Sequence, residues 1–488
     1  MKRLAALCAG LLCACSAPVN PALLPPPFGP DENNPEPPRL FFPTGIAIAN
    51  GWVVVSNSNA DRLYDAGATY ALPAAELLRY FGPVSPVPAC ATDPTKCDAP
   101  FPASVVAGAT ITGNYTGPMV FAAGPAPNQV SLYSGSRDSN RLNSVALDTT
   151  TGQLTCRGPQ RVATAIPPDC RNGSIDLNNN AQVQGPFGVA VGTIRSPIDT
   201  SDTPVVMVGS LIPRVDDVQS GVLLTSSHVA ALDQADPTRV LFTATVTSRL
   251  HGGGVGGGPM IFDDRSREII IAGCFLRFGS ASAGGEPSTF KCGSSFGANS
   301  LLRFVPMDAG SAASTRFYNL SAQLRSTDTT GLALGGIDAV SGARILYMAS
   351  RFPDTVARVA IPADPAFGPV VSAVATVSSQ PSQILVIQRP PTSSGPDLLA
   401  VTGVATYATS TTAGKLLLID GSRGMVVGQV DGLGDTPFAV AQFPTKAGDS
   451  SAQLVITLFG SCGLTLVDVP FDQPANAGLR GKIGSCPQ

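Results

Sequence analysis

The chain has 488 residues, ample for a sizeable core, and a net charge of −3 with only 13% charged residues. There is no basic excess, so nucleic acid is excluded as an expected partner. Histidine occurs only twice, at His228 and His251, which excludes a three-histidine metal centre, while 51 glycines and 44 prolines point to frequent turns.

Residues 1–15 read as an export signal. Lys2 and Arg3 make a charged start, and residues 4–12 form an apolar run too short to span a bilayer as a mature helix. The run closes on Leu12-Cys13-Ala14-Cys15. That close resembles the lipobox of bacterial lipoproteins, in which a Leu three residues before a Cys and a small residue just before it direct cleavage and lipidation at that Cys. The resemblance implies a signal peptide over 1–14 and a lipidated N-terminus at Cys15. The alternative is a plain signal peptide cut nearby. Parity favours lipidation: of eleven cysteines, Cys8 and Cys13 fall in the discarded segment, and acylating Cys15 leaves an even eight. Loss of Lys2 and Arg3 takes the mature chain from −3 to −5. Ser16, in the position after the lipidated Cys, implies delivery to the outer membrane by the same resemblance. The expected location is thus the bacterial cell envelope, with the membrane a partner through the N-terminal lipid.

Residues 15–38 form a separate region. Nine prolines fall between Ser16 and Pro38, including Pro25-Pro26-Pro27 and Pro35-Glu36-Pro37-Pro38. Such density favours extended polyproline II over packing, and 23 residues at about 3.1 Å each reach roughly 70 Å. A stand-off tether is the expectation.

From Phe41 onward a pattern recurs: an inner-strand phrase often opened by Pro, a strongly apolar second strand, then a turn and a third strand. The copies begin at Pro43-Thr44-Gly45-Ile46, Pro186-Phe187-Gly188-Val189, Gly335-Gly336-Ile337-Asp338, Pro381-Ser382 and Pro437-Phe438-Ala439. In the first copy the third strand is expected over 62–72. Weaker copies lie around Met119 and Pro259. Runs such as Trp52-Val53-Val54-Val55 and Ile269-Ile270-Ile271 are short, apolar and bounded by turn residues, the signature of buried strands. Seven units in 39–488 predict an all-β fold: a β-propeller of seven blades of short antiparallel sheets with long inserted loops.

The stretch Ser350-Arg351-Phe352-Pro353-Asp354-Thr355-Val356-Ala357-Arg358-Val359 resembles the YVTN-type and NHL-type propellers of exported bacterial proteins, echoed by Gly414-Lys415-Leu416-Leu417-Leu418-Ile419-Asp420. The resemblance is degenerate and implies fold, not function. WD40 and quinone-dehydrogenase blades need repeated Trp, and Trp52 is the only one. A transmembrane β-barrel needs longer alternating strands and aromatic girdles, against 6% aromatics here.

The eight remaining cysteines fall into close pairs: Cys90 with Cys97, Cys156 with Cys170, Cys274 with Cys292, and Cys462 with Cys486. None has CxxC spacing, so disulfides in an oxidising compartment are the expectation rather than zinc, and other connectivities stay open. His251-Gly252-Gly253-Gly254 and Gly293-Ser294-Ser295-Phe296-Gly297 imitate lipase motifs, but an elbow needs a strand-to-helix turn and no His follows position 251. Asp176-Leu177-Asn178-Asn179-Asn180 opens like a calcium loop yet lacks its Gly and closing Glu, so a polar turn explains it better. No cofactor is expected; calcium held partly by backbone carbonyls stays open. Asp61, Arg62, Arg351 and Asp354 occupy matching turns after second strands and are the candidate binding residues, which a shared rim would bring to one polar mouth.

The function expected is a lipid-anchored envelope propeller that binds or scaffolds a protein or an envelope polymer. The alternative is a hydrolase or lactonase-like enzyme using the central channel. No catalytic or metal-ligating residue is singled out, and whether the chain is an enzyme is left open.

Overall fold

The computed structural model describes residues 23–28, 37–81, 98–157, 168–172, 175–196, 200–212, 214–219, 222–248, 253–254, 259–274, 300–308, 315–324, 328–351, 353–391, 393, 395–404 and 414–486. Within them lie seven sheets, each built on four antiparallel strands. Their inner strands are Pro43–Ala49, Thr116–Ala123, Gln184–Arg195, Met260–Asp263, Asp328–Ile337, Gln380–Ile387 and Pro437–Gln442. Each inner strand packs on the next in sequence order, and the last packs on the first. The chain is a seven-bladed β-propeller.

Alternating apolar residues explain the stacking. A blade is apolar on both faces, so it is buried only between two neighbours. In blade 4, Ile269 and Ile271 pack with Met207 and Val229 of blade 3, while Ile270 and Ala272 pack with Leu346 and Met348 of blade 5. The odd residues face one neighbour and the even residues the other, the period-2 rule of a strand.

The prolines that open the phrases have a structural reason. The ladder between first and second strands is interrupted at Pro43/Gly45, Pro186/Val189, Pro381/Gln383 and Pro437/Val440, and again at Thr116/Met119 and Thr329/Gly331. A bulge leaves a residue unpaired, and proline, which has no N–H to donate, fits there.

Two expected strands are placed differently. In blade 1 the third strand is Gly67–Pro73, not 62–72. Asn59 and Arg62 take left-handed backbone (φ +49° and +56°), which a strand cannot contain. In blade 5 the inner strand is Asp328–Ile337, so Gly335-Gly336-Ile337-Asp338 is its end and not its start. Its leading end is held by a Thr329–Ser350 hydroxyl pair at 3.1 Å, with no proline to mark it.

Among the described residues blade 7 draws its four antiparallel strands from the C-terminal end and blade 1 from the N-terminal end, so neither borrows one of those four from the other. Side chains close it instead: Phe41, Ile46, Ile48, Val53 and Val55 of the first blade share one cluster with Ala439, Phe443, Val455, Leu464 and Ile483 of the last. Asp98–Ala99, from the insertion between the third and fourth strands of blade 1, adds in parallel to the outermost strand of blade 7, Gly478–Ile483. Residues 23–28, inside the expected tether, also belong to the folded body. Leu23 leans on the seam cluster and accepts from the Asp65 N–H at 3.0 Å, and the Tyr70 hydroxyl donates to the Pro26 carbonyl.

Cys156 is bonded to Cys170 and Cys462 to Cys486. The former fixes the segment after blade 2 against blade 1, where Asp169 bridges Ile111. Cys15, Cys90, Cys97 and Cys292 lie outside the described residues, as does the Cys274 side chain. No helix among the described residues is long and apolar enough to cross a membrane.

Candidate functional site

Alternating strand directions bring three sets of groups to one rim: the turns between second and third strands, the blade-to-blade connections, and the leading ends of the inner strands. Asp61 and Arg62 of blade 1 and Arg351 and Asp354 of blade 5 therefore lie on the same rim, well apart around the ring. They do not form one cluster.

Each candidate has a local anchor. Asp61 is exposed and its carboxylate accepts from the Leu63 N–H at 3.1 Å, a turn contact. Arg62 donates from Nε to the Tyr115 hydroxyl at 2.9 Å and stands over the Tyr115 ring at 5.2 Å. Arg351 donates from Nε to the Pro381 carbonyl at 2.9 Å, reaching the first residues of blade 6. The Asp354 carbonyl accepts from the Val377 N–H at 3.0 Å. Beneath Arg62 the turn is locked by Asn59, buried, whose amide meets both the Tyr64 carbonyl and Asn114 Oδ1 at 2.7 Å.

The residues that sequence reasoning missed complete the site. Arg137 stands 5.7 Å from the Tyr115 ring centroid and 5.4 Å from that of Phe187, and donates from Nε to the Tyr115 carbonyl at 3.2 Å. Burial pushes the Arg137 guanidinium down, with the Tyr115 and Asp138 charges opposing. Phe187 sits on the inner strand of blade 3 and overhangs Gly117 on that of blade 2, where a Cβ would come within 2.9 Å of its ring. The result is a stack of Arg62, Tyr115, Arg137 and Phe187 at the channel mouth. Tyr115 itself takes left-handed backbone (φ +50°), a costly state for an aromatic residue, and so is held by its surroundings. Nearer the seam, Phe459 packs on Phe42 at 5.1 Å and on Phe438 at 6.2 Å. A signal existed: Ser136-Arg137 and Ser350-Arg351 both end a second strand opposite a threonine, at Thr116 and Thr329.

The other candidate chemistry resolves into structure. Asp176 caps the short helix Leu177–Ala181, its Oδ1 accepting from the Asn178 and Asn179 N–H groups at 3.0 and 3.2 Å and its Oδ2 from the Asn179 amide at 2.6 Å. Among the described residues no three His, Cys, Asp or Glu side chains gather as a metal group. Gly293-Ser294-Ser295-Phe296-Gly297 and His251-Gly252 lie outside the described residues.

No family model matches the sequence, and no curated protein does. Solved structures with a distant likeness include Sqt1 from Chaetomium thermophilum (TM-score 0.47, 12% identity, 91% of this chain and 88% of that one). Others are the dihydro-heme d1 dehydrogenase NirN in complex with DHE (0.44, 11%, 95% and 68%) and a Dos1 propeller (0.41, 10%, 88% and 82%). At that distance the likeness bears on no function, and the seven-bladed architecture rests on the chain's own sheets.

Proposed function

We propose that this protein is an exported, lipid-anchored propeller of the bacterial envelope whose mouth rim binds a protein or an envelope polymer. One observation carries the binding face: the stack of Arg62, Tyr115, Arg137 and Phe187. Arg and Tyr are the residue types that contribute most at binding surfaces, because they offer large area and directional donors at low entropic cost. Here they are held by a rigid ring, so little ordering remains to be done on binding. The Cys15 lipid, with more than one acyl chain, gives a stable anchor, and the proline-rich stretch sets the body off the bilayer.

The test is affinity capture from detergent-solubilised envelopes, comparing wild type with an Arg62→Ala/Arg137→Ala variant of unchanged Tm. Loss of a captured component in the variant supports the rim as binding face. Equal capture by both overturns it. Metabolic labelling with palmitate tests the anchor separately: wild type takes up label and Cys15→Ser does not, and an unlabelled wild type refutes lipidation.

A further inference from the structure

Two arginines among the described residues are buried, Arg157 and Arg303. Arg157, between blades 2 and 3, meets four oxygens: Ser131 Oγ at 2.7 Å, Tyr133 Oη at 2.6 Å and the Gln234 and Ala235 carbonyls at 2.6 and 3.1 Å. Part-buried Arg316 has a counter-ion, its Nη2 donating to both oxygens of Glu268 at 2.8 and 2.7 Å. Arg303 breaks the pattern. It lies on the third strand of blade 4 and is only 1% exposed, and Nε and both terminal nitrogens lack any hydrogen-bond acceptor. No other described arginine has all three nitrogens in that state.

Its position is set by register. Arg303 pairs with Ile271 on one side and Phe317 on the other. Ile271 and Val305, on the same face, pack with Met207, Val229 and Val246 of blade 3. The guanidinium therefore stands in the apolar seam between blades 3 and 4. The Phe317 ring, 5.9 Å away, offers a π face but satisfies no N–H in the guanidinium plane. Burial pushes the group down to about 9, so it still carries its charge at neutral pH. A buried charge with neither counter-ion nor hydrogen bonds is among the costliest arrangements a fold can hold, and an apolar residue of the same volume would avoid it.

We propose that Arg303 is the receptor of a small carboxylate bound between blades 3 and 4. The planar fork of a guanidinium matches the two oxygens of a carboxylate. A seam closed to bulk water suits a ligand of a few heavy atoms rather than a polymer, and the site is independent of the rim.

The test uses the full chain and acetate as probe, with chloride at equal ionic strength as reference. A ligand bound only by the folded state raises Tm, here by about 3 °C at a hundredfold excess over Kd for a body of this size. Arg303→Leu is expected to keep the Tm of the chloride reference or exceed it, and to lose the acetate shift. An equal acetate shift in wild type and variant, or none in wild type, overturns the proposal. Should Arg303→Leu not fold, Arg303→Lys keeps the charge without the fork and is expected to bind acetate about tenfold more weakly by calorimetry. Equal affinity again overturns it.

Discussion

Arg157→Met tests how much of the ring is held by polar stitching between blades rather than by apolar packing. The substitution keeps an unbranched apolar stem and removes four hydrogen bonds, two to Ser131 and Tyr133 of its own blade and two to the Gln234 and Ala235 carbonyls of the next. A hydrogen bond to a charged group contributes about 1.5–3 kcal/mol, but summing four overshoots. The Gln234 and Ala235 carbonyls lie in a partly exposed turn and regain water, whereas Ser131 and Tyr133 are fully buried and do not. The expected loss is about 3 kcal/mol, within the range for breaking a buried charged network. At an unfolding entropy of about 1 kcal/mol/K for a body of this size, Tm falls by about 3 °C. Tyr133 supplies a second readout. Burial raises its pKa and the Arg157 charge partly offsets that, so removing the charge moves the phenol higher still. A double-mutant cycle with Tyr133→Phe is expected to show a coupling of about 1 kcal/mol. A Tm within about 0.5 °C of wild type, or strict additivity in the cycle, refutes the reasoning and assigns the blade 2–3 seam to packing alone.

Gly152 combines left-handed backbone (φ +77°) with a Cβ position that overlaps the Trp52 ring, so Gly152→Ala is expected to cost about 3 kcal/mol. Gly51 (φ +83°) has open space around it, so Gly51→Ala carries only the backbone term of about 1 kcal/mol; equal Tm losses in the two variants sink the steric account. Asp338 is held down to about 2, first by the Ser341 N–H, then by the Ser341 hydroxyl and Arg358. Its folded-state pKa lies below the ordinary value of about 3.9, so its contribution is present above that value and fades as pH falls through 2. Wild type and Asp338→Asn should diverge above pH 4 and converge near pH 2 in acid unfolding. Carboxyl NMR of Asp338 titrating at the ordinary value refutes the assignment.

Fold was more legible than site, for a physical reason. The apolar runs of each second strand, such as Trp52-Val53-Val54-Val55, are buried on both faces and read directly as blades. The prolines marked the inner strands because the bulge at each leading end tolerates a residue without an N–H. Where blade 5 uses a Thr329–Ser350 hydroxyl pair in that role, the mark disappears and the strand was placed late. At the site, Arg62 and Arg351 were visible as turn residues. Tyr115 and Phe187 were not, since what makes them functional candidates is the angular step from one blade to the next, which brings 62, 115, 137 and 187 together. No local pattern encodes that step. Arg303 was invisible for the opposite reason: in sequence it is one charge in Leu301-Leu302-Arg303-Phe304-Val305, and only the register shows that it faces blade 3.

The closure of the ring bears on how an anchored body would carry load. Propeller seams can be sealed by giving the last blade one of its four antiparallel strands from the other end of the chain, and among its described residues this chain does not do so. It relies on the cluster around Phe41, Ile48 and Phe443, on Asp98–Ala99 laid along the outer edge of blade 7, and on residues 23–28 and 39–42 packed over blade 1. Phe41 meets Tyr64 edge-on at 5.1 Å and Phe42 meets Phe459 of blade 7, so the chain reaches its first strand by crossing the seam. Leu23 and Pro26 are bonded to Asp65 and Tyr70 of blade 1, so if Cys15 carries the lipid proposed above, a pull from it would reach these contacts before the seam. On that proposal the docked segment would shield the seam from the load. That gives a physical reason for a proline-rich leader to be partly folded onto the body instead of free along its whole length.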